Sequence, residues 1–228
     1  MAFKLLDVEC SDEKILKAAL THPSYTKENN LDLCSNYERL EFLGDAVLKL
    51  LISDLLYNKY PEYDEGELSK IRSILVSDFI LSKLGLKIGI DKLLILGSGE
   101  EKTGGRKRES NIACCFEAIL GVYYLDNKID VVKQFLRQEL LPYSEDVDNH
   151  FAKYNAKAVL QEYTQGESTE LPVYNVVNVK GPAHKPIFEV EVMYKDKLLA
   201  KGEGHTKKEA QQDAAYKACI ELGIVKGE

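Results

Sequence analysis

The sequence predicts two domains in tandem, an all-α domain followed by a small α+β domain of order α-β-β-β-α, and three features predict it. Apolar residues recur at helical spacing from Lys14 to Leu140. The period then switches to strand alternation after a polar, proline-bearing stretch at Leu141–His150. One further helical segment closes the chain. A length of 228 residues, 45% hydrophobic and 29% charged, suffices for one large core or two small ones. Such a composition excludes a disordered chain, a coiled-coil rod and a collagen-like repeat.

The long helical segments are Glu38–Tyr60, Gly66–Lys83, Arg108–Asp126 and Asp130–Leu140, broken by Pro61, Gly97-Ser98-Gly99 and Thr103-Gly104-Gly105. The last two breakers read as a flexible surface loop, with Arg106, Lys107 and Arg108 placed near phosphates of a polyanionic partner. They do not form a phosphate-cradling loop, because no strand precedes them. Boundaries follow at residues 1–146 for the helical domain, 147–153 for a linker and 154–228 for the second domain. There a short helix, Ala156–Thr164, precedes strands at Val173–Val179, Ile187–Tyr194 and Lys197–Gly204. The final helix runs from Lys207 to about Leu222, and Thr206 with Glu209 fits a capping box at its start.

The formal net charge of −7 and pI near 5.3 argue, taken alone, against a nucleic-acid partner. The acidity is uneven. Residues 1–148 hold 19 Lys and Arg against 26 Asp and Glu, while 149–228 hold 11 of each, so an acidic surface or a metal site belongs to the first domain. Five cysteines without a C-x-x-C pair suggest reduced thiols, neither a disulfide framework nor a structural zinc site. No stretch reaches the roughly 18 to 20 apolar residues of a membrane span, and the acidic start does not fit a signal peptide. A soluble, cytoplasmic protein with no membrane partner is expected.

Glu38, Glu41 and Asp45 stand on an otherwise apolar helix, and at about 100° per residue they fall within roughly 60° of one another. Like charges so grouped require a compensating cation, a shared proton or open water. They form either the solvated side of an amphipathic helix, paired with Arg39 or Lys49, or one wall of a site for a hard divalent cation. Gly44, mid-helix, costs on the order of 1 kcal/mol against alanine and hints at a close backbone approach. Glu117 is alone among apolar neighbours on a second helix, with Cys114 three positions earlier on its face. Should the two helices meet, Glu41, Asp45 and Glu117 converge as oxygen ligands. His22, ahead of Pro23, reads as a buried hydrogen-bonding group, and Cys115 as a small core residue.

These residues resemble a known family. Glu38-Arg39-Leu40-Glu41-Phe42-Leu43-Gly44-Asp45-Ala46-Val47-Leu48 is similar to the signature of bacterial ribonuclease III. Supporting matches are Thr21-His22-Pro23-Ser24-Tyr25, Gly66-Glu67-Leu68-Ser69-Lys70-Ile71-Arg72, Leu96-Gly97-Ser98-Gly99-Glu100-Glu101 and Phe116-Glu117-Ala118-Ile119-Leu120-Gly121. The tail resembles a double-stranded RNA-binding domain through Leu160-Gln161-Glu162-Tyr163, Gly181-Pro182-Ala183-His184 and Lys207-Lys208-Glu209-Ala210-Gln211-Gln212-Asp213-Ala214-Ala215.

The resemblance implies a homodimeric endonuclease that cuts both strands of an RNA duplex in ribosomal and messenger RNA processing, leaving 5′-phosphate and 3′-hydroxyl ends. It implies Mg²⁺, with Mn²⁺ as substitute, on Glu41, Asp45 and Glu117, with Asp45 and Glu117 catalytic, Glu38 a further substrate or subunit contact, and no small-molecule cofactor. One position departs from the family. Where it usually carries a metal-site aspartate, this chain has Cys114, a soft and poor Mg²⁺ ligand. Three outcomes stay open: slower cleavage on the remaining acids, an RNA-binding relative that no longer cuts, or a redox or thiophilic-metal role. A small-molecule or protein-binding helical domain is favoured only if the tail fails to bind RNA.

Duplex RNA is recognised by shape, 2′-hydroxyls and phosphates over roughly 16 base pairs. Lys207 and Lys208, at a helix start where free N–H groups favour phosphate, fit that task, with Gln211 one turn on. Gln161 and Glu162 suit one minor groove and His184 the next. The zero net charge of this domain predicts weaker, more salt-sensitive binding than a basic module gives.

Overall fold

The computed structural model describes residues 4–5, 8–182 and 186–225. The chain divides into two compact units, Met1–Asp146 and Val147–Glu228. Two short strands, β1 (Lys4–Leu5) and β2 (Val8–Glu9), pair antiparallel ahead of the helices. Tyr123 holds them: its hydroxyl accepts from the Leu5 amide at 2.9 Å and donates to the Val8 carbonyl at 2.6 Å.

The helices of the first unit are α1 (Glu13–Ala19), α2 (Pro23–Glu28), α3 (Glu38–Lys59), α4 (Glu65–Leu75), α5 (Asp78–Lys87), α6 (Ile90–Leu93), α7 (Ser98–Lys102), α8 (Glu109–Leu125) and α9 (Ile129–Glu139). A helix α10 (Tyr143–Asn149) follows. At the centre lies α8, packed by α1, α3, α5, α6 and α9. Ile112, Phe116, Ala118, Ile119, Leu120, Val122 and Tyr123 are all buried, so α8 is apolar nearly all round, as an enclosed helix must be. Cys115 packs in the same core and its S–H donates to the Ala19 carbonyl at 3.2 Å.

Three local expectations are corrected. The segment expected as one helix from Gly66 to Lys83 is two, because Ser77 takes an extended backbone (φ −78, ψ 150) and starts a new first turn with Asp78. The expected flexible loop is ordered: the Glu28 carboxylate accepts from the Ser98 amide at 2.7 Å and the Gly99 amide at 3.1 Å, fixing the start of α7. Arg106 and Arg108 there are engaged by Glu101 and Glu100, and Arg106 also donates to the Asp91 and Leu94 carbonyls, so neither guanidinium is left unpaired for a polyanion. The stretch Leu141–His150, expected to lack helix, forms α10. Buried Ser144 anchors it with the Lys59 ammonium at 3.0 Å and the Tyr60 hydroxyl at 2.9 Å.

The second unit holds α11 (Phe151–Tyr154), α12 (Ala156–Glu167), strands β3 (Val173–Lys180), β4 (Ile187–Tyr194) and β5 (Lys197–Gly204), and α13 (Lys207–Glu221). The sheet is antiparallel in the order β3-β4-β5. Lys195 and Asp196, at φ 48 and 58, make the two-residue turn that joins β4 to β5. Both helices bury small residues against the sheet: Ala156, Leu160, Val190, Val192, Ala210, Ala214 and Ala218 form the core. Gly202 permits the close approach of α13, since a Cβ there would lie 2.1 Å from the Ala214 nitrogen. Thr206 and Glu209 form the expected capping box, with the Glu209 amide donating to Thr206 at 3.1 Å.

Candidate active site

The acids of α3 and the acid of α8 are brought together by glycines. A Cβ built on Gly44 would lie 1.7 Å from the Glu117 carbonyl oxygen, and one on Gly121 would lie 2.6 Å from that of Leu40. The two backbones therefore touch. Glu41 and Asp45 flank Gly44 on α3, and Glu117 stands one turn from Gly121 on α8, so one crossing brings the three carboxylates near enough for the charges of Asp45 and Glu41 to act on Glu117.

Glu41, Asp45, Glu117 and Cys114 are half-buried, whereas Glu38 is exposed. Burial raises the proton affinity of Glu117, and the charges of Asp45, Glu41 and Asp78 add to it, bringing its pKa up to about 8. Burial likewise raises Glu41, with Glu38, Asp78 and Asp45 adding to the effect and the Cys114 thiol opposing it. Asp45 has a partner, the Lys49 ammonium at 2.7 Å, one turn along α3. The alternative of a solvated stripe thus holds for Glu38, which is exposed, and for Asp45 through Lys49, but not for Glu41. Arg39 does not pair with the stripe and instead donates to the Cys34 sulfur at 3.3 Å.

Cys114 sits against Glu41, whose carboxylate accepts from its thiol, and burial pushes the thiol pKa far above its ordinary range. The sulfur is neutral near neutral pH and adds no charge to the cluster. Asp78, which no sequence pattern marked, faces the cluster from the first turn of α5 and raises Glu41, Glu117 and Cys114 alike. Among the described residues no three Asp, Glu, His or Cys side chains stand close enough together to hold a metal ion as they are placed. The donor chemistry nevertheless fits a hard divalent cation: several crowded carboxylates, one of which holds its proton up to about pH 8, opposed in part by the Lys49 charge. A neutral thiol does not fit such an ion.

His22 plays no part in this cluster. Its Nδ1 caps α2 by accepting from the Ser24 amide at 2.9 Å.

In the second unit Gln161 and Glu162 are exposed on α12, and Lys207 and Lys208 are exposed in the first turn of α13. Gln211 lies one turn further on, with its side-chain oxygen accepting from the Lys157 ammonium at 2.7 Å. Lys157 was not marked by the sequence pattern. His184 lies outside the described residues. No helix among the described residues is long and apolar enough to cross a membrane.

Comparison with known proteins gives the same two parts. A family described as Ribonuclease-III-like matches residues 12–144, and one described as Double-stranded RNA binding motif matches residues 156–222. Proteins named Ribonuclease 3 from Streptococcus pyogenes serotype M2 (strain MGAS10270) and serotype M5 (strain Manfredo) are each 42% identical over 219 residues, covering 96% of this chain and 95% of their own length. The nuclease domain of ribonuclease III from Campylobacter jejuni, in a structure described for flexibility in a region involved in dimer formation, is 32% identical over 57% of this chain and 87% of its own, with a TM-score of 0.52.

Proposed function

The chain belongs to the ribonuclease III family, and on that premise we propose that it is a homodimeric, divalent-cation-dependent endoribonuclease that cuts double-stranded RNA in ribosomal and messenger RNA processing in the cytoplasm. The observation that carries this reading is the meeting of Glu117 with Glu41 and Asp45 across the Gly44–Gly121 contact, in a chain that ends in a double-stranded RNA-binding motif.

Glu41, Asp45 and Glu117 would hold Mg²⁺ or Mn²⁺, which when bound supplies the charge that polarises the phosphoryl group and acidifies the attacking water. Lys49 fixes the Asp45 carboxylate, and the Cys114 S–H orients that of Glu41. Glu38, exposed at the open start of α3, contacts substrate or the second subunit. Water attacks phosphorus in line, the bond to the 3′ oxygen breaks, and that oxygen takes a proton, leaving 5′-phosphate and 3′-hydroxyl ends. In the second unit Lys207, Lys208 and Gln211 bind backbone phosphates, while Gln161 and Glu162 lie along a minor groove.

The dimer is formed through α3. Phe42, Leu50 and Tyr57 are 82%, 63% and 72% exposed and share one face of the helix, too much apolar surface to leave in water. A pocket of about 440 Å³, lined in part by Pro23, Thr26, Leu31 and Asn36, also reaches Glu38, one turn before Phe42. A two-fold axis between the α3 faces gives each subunit the other's apolar stripe to cover.

The test is cleavage of a labelled RNA duplex in Mg²⁺ and in Mn²⁺, with Cys114→Asp and Glu117→Gln beside the unchanged protein and binding measured in parallel. The unchanged chain should cut duplex and spare single strands, and Glu117→Gln should bind without cutting. Cleavage by Cys114→Asp alone would make the chain an RNA-binding relative that lost catalysis at one position. Cleavage by neither would overturn the reading.

A further inference from the structure

Two lysines from different helices of the second unit approach each other without an anion between them. Lys157 opens α12 and Lys208 opens α13; Lys157 reaches Gln211, one turn from Lys208, and the Lys208 charge acts on it. Among the described residues neither is paired with a carboxylate, unlike Lys180, Lys201 and Lys217, which pair with Glu189, Glu191 and Asp213.

Lys157 is held in this position by side chains from two elements. Its ammonium donates to the Gln211 Oε1 at 2.7 Å and stands 4.7 Å from the centroid of the Tyr174 ring on β3. Its backbone amide faces the neighbouring Gln212 Oε1 at 3.4 Å, while the Gln212 amide group donates to the Tyr154 carbonyl at 2.5 Å, so the start of α12 is tied to α13. The bond to Lys157 also orients Gln211. An ammonium has only donors, so the amide oxygen must face it and the two N–H donors of Nε2 are turned elsewhere.

Holding the half-buried Lys157 ammonium beside a second positive charge is unfavourable unless an anion joins them. Burial and the Lys208 charge together lower the proton affinity of Lys157. An RNA phosphodiester supplies the missing charge and accepts both from the lysines and from the Gln211 amide. We propose that Lys157, Gln211 and Lys208 form one phosphate-binding site bridging α12 and α13, in which Lys157 is an RNA-contacting residue. The inference rests on the double-stranded RNA reading given above and assigns to it a cation from outside the Lys207-Lys208 pair. It also bears on the zero net charge of this unit: Lys180, Lys201 and Lys217 are neutralised in ion pairs, while Lys157 and Lys208 have no carboxylate partner among the described residues.

The experiment is binding of the full chain to a labelled RNA duplex in a chelator, so that nothing is cut, over a series of salt concentrations. Lys157→Met keeps the apolar stem and should weaken binding on the order of fivefold and make the dependence on log salt shallower by about one phosphate contact. Lys157→Arg should restore the slope. Binding by Lys157→Met equal to that of the unchanged chain, while Lys207→Met with Lys208→Met binds weakly, would overturn the proposal and leave the RNA reading standing. Unchanged binding by all of them would overturn the RNA face itself. Acylation of the unchanged protein by an amine reagent, read by mass spectrometry, gives a measure that needs no variant: the duplex should protect Lys157 together with Lys208, and full reactivity of Lys157 in the complex would refute its contact.

Discussion

Gly44 on α3 and Gly121 on α8 meet backbone to backbone: a Cβ on either would lie 3.2 Å or less from the other's nitrogen, with a carbonyl oxygen nearer still. The acids of the site are placed by this contact, because Glu41 and Asp45 lie either side of Gly44 and Glu117 lends the carbonyl that sits over it. Gly44→Ala must push the helices apart, since its obstacle is backbone and not a movable side chain. The expected result is a loss of roughly 1–3 kcal/mol in stability by denaturant unfolding. Cleavage should fall further than stability accounts for, while duplex binding by the second unit is kept. An unchanged unfolding midpoint would show that the crossing is looser than the geometry states.

Glu117 is costly to the fold when charged. Its pKa near 8 in the folded chain lies above the ordinary 4.5, so the folded state binds its proton more tightly than the unfolded state does. The penalty is absent below about pH 4.5, grows as pH rises toward 8 and is complete above that. Without divalent cation, Glu117→Gln should therefore melt higher than the unchanged protein at pH 8 and match it near pH 4.5. Added Mg²⁺ should raise the melting temperature of the unchanged protein and leave the variant nearly unmoved. A variant less stable than its parent at pH 8 would contradict the placement of Glu117 among unneutralised carboxylates.

Phe42 offers a direct test of the dimer. A ring that is 82% exposed costs little to replace in a lone subunit, but a charge there opposes burial against a partner. Phe42→Asp should keep the helical content and melting cooperativity of the first unit while sedimentation or light scattering shows the mass falling from dimer to monomer. Double-strand cleavage should give way to nicking or be lost. A variant that stays dimeric would move the interface away from this end of α3.

What the sequence revealed follows from what periodicity records. Spacing exposes a helix with a long apolar face, so α3 and α8 and the strands β4 and β5 stand within a few residues of their expected places. It exposes Glu117, alone on an apolar helix, but not Asp78, because an acid in the first turn of a helix is ordinary and its facing of the same cluster depends on how α5 packs. The helix at Tyr143–Asn149 was hidden because it depends on tertiary partners, Ser144 with Lys59 and Tyr60. The break at Ser77 is local, its hydroxyl donating to the Ile74 carbonyl at 2.7 Å, and it was hidden because the apolar spacing runs on through it. Two-residue strands such as β1 and β2 carry no period at all. Lys157 was missed because a lysine at a helix start is unremarkable until the neighbouring helix supplies Gln211.

His22 makes the first unit sensitive to mild acid. Its Nδ1 accepts from the Ser24 amide at 2.9 Å and lies 2.8 Å from the Ser24 hydroxyl, which in turn accepts from the Gly97 amide at 2.9 Å. This cap needs a ring nitrogen without a proton. Burial, opposed in part by the charge of Glu100, holds the imidazole below its ordinary value of 6.5, so the unfolded chain takes up the proton first. The stabilisation is full above about pH 6.5 and declines as pH falls through that value toward the lower folded pKa. Asparagine can accept the same amide bond without titrating. Denaturant unfolding at steps from pH 7.5 to 5.5 should thus show the unchanged protein losing stability relative to His22→Asn across that interval. Parallel curves for the two proteins would mean that His22 keeps its cap when protonated.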